Sequence, residues 1–178
     1  DIMKRSVDAR TIREVEARYK RQFENLLFAE TEDFRMYAIQ VESGVIKWVT
    51  SFPDKLQYKP WFGRQYIFYT SDEILFAVNR EYGLLAWRKP LRFPVSTSPV
   101  QGSSKLLFLS SWENRMFCLD SATRMLNWQY RVGGNIIGTP VYIGGLIYIP
   151  CEDGSIYCIK SNGEEVYTYP TNGPIRTS

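Results

Sequence analysis

The chain reads as an all-β protein made of β-propeller blades of four antiparallel strands each, preceded by an N-terminal α-helix. Three observations carry this. One pattern (aromatic, small, aliphatic, polar turn, short apolar strand, large aromatic) recurs along the chain and ends at Trp48, Trp87, Trp128 and Tyr167. Those endpoints are 39, 41 and 39 residues apart. A proline follows each tryptophan by 12 residues, at Pro60, Pro99 and Pro140. Four short strands repeated about every 40 residues are the signature of a propeller blade.

Taken in order, residues 1–30 stand apart, with 7 Lys or Arg, 6 Asp or Glu, and neither Gly nor Pro. Ile12, Val15, Tyr19, Phe23, Leu26 and Leu27 fall on one helical stripe. Thr11 and Glu14 have the spacing of a capping box, and Ser6 or Asp8 would cap an earlier start. The spacing predicts a helix over 8–27 within an N-terminal helix-and-linker segment, 1–33. The stripe packs either on its own domain or on a partner.

From residue 34 the pattern is β, and 34–178 is assigned to the propeller. The runs QYIFY (65–69), LLFL (106–109) and LIYI (146–149) occupy matching repeat positions and predict strands buried on both faces. Each leads into a polar turn: Ser71-Asp72-Glu73, Ser111-Trp112-Glu113-Asn114 and Glu152-Asp153-Gly154. The aromatic-small-aliphatic strand follows, then a second turn and the strand ending in the large aromatic. A strand starting near the proline completes the unit. Full units cover 60–87, 99–128 and 140–167, and the end of another covers 37–48. These blades are not expected to close a ring alone. Further chain or another protein would cover the open faces.

The net charge of +3 carries no footprint of nucleic-acid binding, and no apolar run reaches membrane-spanning length. Histidine is absent, which removes the commonest general base and metal ligand. Cys118 and Cys158 occupy the small-residue slot held elsewhere by Ala38 and Ala77, so they read as packing residues. A two-residue Asp153-Gly154 loop would set Cys151 opposite Ile156 rather than Cys158, and no disulfide is expected.

Three further features bear on function. Gly133 and Gly138 have the spacing of a phosphate loop, but Thr139-Pro140 follows in place of Lys and Ser or Thr. Arg88, Lys89 and Arg92 form a basic cluster, read first as a solvated loop and second as a contact for an acidic partner. Trp112 stands in a turn where other repeats carry polar residues. It either folds onto a neighbouring blade or anchors an interface, since Trp is enriched at interface hot spots.

The strings YAIQVESGVIKW, FAVNREYGLLAW and FCLDSATRMLNW resemble the tryptophan-docking motif of the quinoprotein-like (PQQ-like repeat) β-propeller family, WD40-like in architecture. The match spans about 34–178. It departs from the pattern where Asp survives only at Asp120, Arg124 replaces Gly, and Tyr167 replaces Trp. The resemblance implies that each Trp packs against an adjacent blade, with Pro60, Pro99 and Pro140 as further repeat anchors. Some members of the family are dehydrogenases that hold pyrroloquinoline quinone and calcium. Others lack the cofactor and act as scaffolds or adaptors, including in outer-membrane β-barrel assembly. The enzymes' vicinal cysteine pair is missing here. Asp72, Glu73, Glu113, Glu152 and Asp153 lie in turns and match no calcium set. The expectation is therefore a non-catalytic interaction module of a bacterial envelope assembly, periplasmic or envelope-associated. It would have no cofactor and no metal. Its protein partners would be held by the helix stripe, by Trp112 and by open blade faces. The alternatives are a fragment of a quinone-dependent dehydrogenase and an adaptor in outer-membrane protein assembly.

Overall fold

A computed structural model describes residues 25–53, 56–71, 73–103, 105–171, 173 and 175. The chain divides into two compact units, one of Asp1–Pro53 with Glu81–Gly83 and one of Asp54–Arg80 with Leu84–Ser178. Most of the predicted helix, with Ile12, Val15, Tyr19 and Phe23, lies outside the described residues.

The first unit holds an antiparallel sheet in the order β1 (Leu26–Glu30), β2 (Arg35–Gln40), β3 (Ile46–Ser51). Here the expectation needs correcting. Leu26 and Leu27 belong to strand β1, not to the end of a helix, and the segment read as linker pairs with β2 from Leu26↔Gln40 to Glu30↔Met36. The backbone of β2 needs a partner on this edge. Phe28, set opposite Ala38, brings its ring to 5.8 Å from Trp48. A period of two therefore prevails over the helical stripe at this point. The described sheet thus starts at Leu26 and has three strands, not only the segment 37–48.

The second unit contains three four-stranded antiparallel sheets. They comprise β4 (Trp61–Phe62), β5 (Tyr66–Ser71), β6 (Ile74–Asn79) and β7 (Leu85–Pro90); β8 (Val100–Gln101), β9 (Leu106–Ser111), β10 (Arg115–Asp120) and β11 (Leu126–Arg131); and β12 (Val141–Ile143), β13 (Leu146–Pro150), β14 (Ser155–Lys160) and β15 (Glu165–Pro170). Pro60, Pro99 and Pro140 each stand immediately before the first strand of a sheet. A residue without an N–H is tolerated there because it begins the strand.

One cross-strand row organises every sheet. Trp61, Phe68, Ala77 and Trp87 lie directly opposite one another. The same holds for Val100, Phe108, Cys118 and Trp128, and for Val141, Tyr148, Cys158 and Tyr167. In the first unit the row is Phe28, Ala38 and Trp48. The small residue is fully buried in all four cases, and a register shift follows it each time. Above Ala38, Ala77 and Cys118 the rings on either side meet at 5.8–5.9 Å between centroids.

The sheets of the second unit stack face to face. Phe68, Ala77 and Trp87 share one buried cluster with Leu107, Leu109, Phe117 and Leu119 of the next sheet. Phe108, Met116 and Cys118, on that sheet's other face, cluster with Ile147, Ile149 and Ile159. Tyr167, the expected fourth anchor, is instead 47% exposed, and every residue of β15 is exposed. No described sheet of this chain covers its face. Trp128 is half-buried, less enclosed than expected.

Two positions adopt positive φ in every repeat, besides Arg92, Gly144 and Gly145 elsewhere. Phe34, Glu73, Asn114 and Gly154 do so in the turns after β1, β5, β9 and β13, and Gly44, Gly83, Arg124 and Gly163 in the turns before β3, β7, β11 and β15. In the second set, Gly83, Arg124 and Gly163 each meet a tryptophan ring, whereas Gly44 meets none. A Cβ on Gly83 would sit 2.5 Å from the Trp48 ring, and one on Gly163 would sit 2.9 Å from the Trp128 ring. The Trp128 indole N–H also donates to the Ser161 carbonyl at 2.9 Å.

Gly44 and Gly83 have nearly the same φ, but nothing lies within 4 Å of a Cβ on Gly44. Gly44→Ala should therefore cost only left-handed strain, about 1–2 kcal/mol. Gly83→Ala should cost roughly 1–3 kcal/mol more, through collision with Trp48. Trp87→Ala should cost about 3–5 kcal/mol. Urea denaturation of the variants measures all three; equal costs for the two glycines would contradict the docking.

Candidate protein-interaction site

Antiparallel order places the turns of the second unit at two ends. The β5–β6, β9–β10 and β13–β14 turns share one end with the proline-led connections. The β4–β5, β8–β9 and β12–β13 turns share the other with β6–β7, β10–β11 and β14–β15.

Trp112 lies at the first end, in the β9–β10 turn. It is 48% exposed, whereas Trp87 is 8% exposed. Its N–H donates to the Pro94 carbonyl at 3.2 Å, and it borders a shallow cleft of about 190 Å³ with Tyr58, Thr70, Glu73 and Pro94. The backbone tethers the turn while the indole keeps a large accessible surface.

The basic cluster is near the same end. Arg88 and Arg92 are exposed, and Arg92 has a φ of 63° between buried Leu91 and Phe93. Phe93 stacks on Phe117 at 3.9 Å. Two apolar anchors thus hold the Leu91–Phe93 connection down while Arg92 faces solvent, and Arg88 and the half-buried Lys89 lie on strand β7, not in the loop.

The glycine-rich loop is filled by its own chain. The Gly133 N–H donates to the Tyr157 hydroxyl at 2.9 Å, and the Gly134 N–H to Cys151 Sγ at 3.2 Å. The Tyr157 hydroxyl in turn donates to Asp153 Oδ2 at 2.5 Å. Burial raises the Asp153 carboxyl, but hydrogen bonds from Tyr157, Cys151 and Ser155 outweigh it and hold the group below the ordinary range. Burial, then the bond to Asp153, pushes Tyr157 up to about 12. A resident carboxylate makes this loop unsuited to phosphate.

The cysteines correct a register. Pro150, not Cys151, pairs with Ile156. The Cys151 N–H donates to the Ser155 carbonyl, and Cys151 bridges Ile136. The turn is one residue longer than the sequence suggested because Gly154, at φ 80°, closes it from Cys151 to Ser155. All three cysteines are free and buried. Burial pushes the Cys118 thiol up to about 11 and also raises Cys151.

The described carboxylates do not converge as a calcium site would require. Glu73, Glu113 and the Glu152–Asp153 pair stand in turns of three different sheets, and Asp72 lies outside the described residues. Among the described residues, no group of three or more His, Cys, Asp or Glu side chains could hold a metal ion.

Stacked four-stranded sheets whose terminal aromatics dock on the following turn define a quinoprotein-like β-propeller protein. The chain belongs to the family described as "Outer membrane protein assembly factor BamB", which it matches over residues 71–177. No curated protein sequence matches it. Among solved structures it is similar to BamB from Moraxella catarrhalis, with TM-score 0.65 and 17% identity over 81% of this chain and 46% of that one. It is also similar to quinohemoprotein alcohol dehydrogenase ADHIIG from Pseudomonas putida HK5, with TM-score 0.64 and 14% identity over 82% of this chain and 32% of that one. The quinohemoprotein alcohol dehydrogenase from Comamonas testosteroni gives TM-score 0.65 and 11% identity over 85% of this chain and 34% of that one. The chain thus spans less than half the length of each of these structures.

The sequence reading missed the aromatic half of the docking row. Phe28, Phe68, Phe108 and Tyr148 are each 40 residues apart, a signal available in the sequence that would have located β1.

Asp120, the acid retained from the motif, accepts from the backbone N–H groups of Ala122 and Thr123 at 2.8 Å each. These bonds, led by Thr123, lower its pKa. A carboxyl depressed in the folded state stabilises it above the unfolded pKa, and this stabilisation fades as pH falls through about 4 and below. Thermal melts of Asp120→Ala should therefore lie below wild type at pH 7 and converge on it toward pH 3.

Proposed function

We propose that the chain is a non-catalytic β-propeller scaffold, a protein-interaction module of a bacterial envelope assembly. The observation that carries this reading is the family match over residues 71–177. The conspicuous repeated residues support it, because they pack sheets instead of converging on a reacting centre. Partners are proteins, not nucleic acid, and they engage the exposed turns, with Trp112 as an anchor. The stripe Ile12, Val15, Tyr19 and Phe23 supplies a second docking element. The place of action is the periplasm or envelope, and adaptor work in outer-membrane protein assembly is the specific form suggested by the family. No helix among the described residues is long and apolar enough to cross a membrane.

A fragment of a quinone-dependent dehydrogenase is the rival reading, favoured by the structural likeness to two alcohol dehydrogenases. Reconstitution with pyrroloquinoline quinone and calcium separates the two. The expected result is no stoichiometric binding and no dye-linked turnover, and turnover would sink the scaffold reading. Trp112→Ala should change stability by less than about 1 kcal/mol, as for a surface position. It should weaken a cognate partner by about tenfold or more, as for an interface hot spot. A stability loss as large as that of Trp87→Ala would remove Trp112 from the interface.

A further inference from the structure

We propose that the cleft between the β4–β7 and β8–β11 sheets binds an acidic segment of a partner polypeptide. This rests on the scaffold reading and names a chemistry for one of its surfaces, at the end of the unit opposite Trp112. The cleft measures about 740 Å³, and its walls include Arg64, Lys105, Arg124 and Trp87. Ligand sites typically span about 300–1,000 Å³. Gln65, Gln101 and Ser121 add neutral hydrogen-bonding groups, and none of the described residues lining the cleft is a carboxylate.

The cations come from different turns. Arg64 follows β4, Lys105 precedes β9, and Arg124 lies between β10 and β11. Among the described residues, none of the three forms an ion pair. Asp120 is near enough for Lys105 to help lower its pKa, but the amides of its own turn already hold its Oδ1.

Arg124 occupies the turn position that is glycine in the other three repeats, and it accepts a φ of 62° there. A non-glycine residue is strained in that region, so the turn itself does not call for arginine. Its guanidinium stands 5.9 Å from the centre of the Trp87 ring, which keeps the charge at the cleft wall.

The donors suit several carboxylates better than one phosphate. A phosphate cradle uses free backbone N–H groups. Here the N–H of Gly102 donates to Leu106, that of Ser121 to Lys105, and those of Ala122 and Thr123 to Asp120. What remains is side-chain charge spread over three turns, which matches acidic residues spaced along a peptide.

Calorimetric titration of the full chain with hexaglutamate tests this, with hexalysine and inorganic phosphate as comparisons. Binding of hexaglutamate alone is expected, weakening steeply with added salt. Arg64→Gln, Lys105→Gln and Arg124→Gly should each lower the affinity about threefold to fivefold. Arg124→Gly also relieves the turn, so an unchanged or raised melting temperature shows that its loss of binding is not unfolding. Three outcomes would each overturn the proposal: no binding of hexaglutamate, phosphate binding as tightly as the peptide, or affinity indifferent to all three substitutions. Quinone-dependent turnover would defeat the scaffold reading whatever the titration shows. A failed titration without turnover would leave that reading standing and remove only the cleft.

Discussion

Everything in this protein depends on two rings meeting over a small residue. Strands in a sheet lie about 4.8 Å apart, so the second and fourth strands of a blade are separated by roughly twice that distance. Phe68 and Trp87 still reach 5.9 Å between centroids because only the Ala77 methyl lies between them. A larger side chain at Ala77 or Cys118 would lift the rings apart and open the stacked core. This is why Cys118 and Cys158, in the same slot, read as packing residues, and why burial raises the Cys118 thiol.

The same tryptophans set how a sheet meets the next turn. Trp128 lies flat on Gly163 because any Cβ there would intrude on the ring. Trp87 meets Arg124 instead, and a guanidinium covers the ring in place of bare backbone. The docking tolerates the exchange because the guanidinium adds a cation–π attraction, worth about 0.5–1 kcal/mol at an exposed site. One departure from the repeat therefore leaves the packing intact while adding charge to a cleft.

With its repeated aromatics and small residues committed to packing, the chain has its turns left for recognition. The two ends of the second unit differ in character. One presents Trp112 and, near it, the exposed Arg88 and Arg92. The other presents a cleft with cations and amides, and none of the described residues lining it is a carboxylate. A scaffold can engage two partners, or two parts of one, through surfaces so unlike.

The sequence by itself determined the architecture of the blades. The spacing of Trp48, Trp87 and Trp128, the prolines 12 residues on, and the small residue ahead of each polar turn are local rules that survive without knowledge of neighbours. The tertiary structure decided the rest. Leu26 and Leu27 fit a helix or a strand equally well, and only the unpaired edge of β2 made them β1. Cys151 faced Ser155 because Gly154 closed a longer turn. The exposure of the Trp112 ring also comes from the fold, where Pro94 accepts only from its backbone N–H. The basic cleft left no trace in the sequence. Arg64, Lys105 and Arg124 are tens of residues apart, and they converge only because sheet stacking brings three turns to one end.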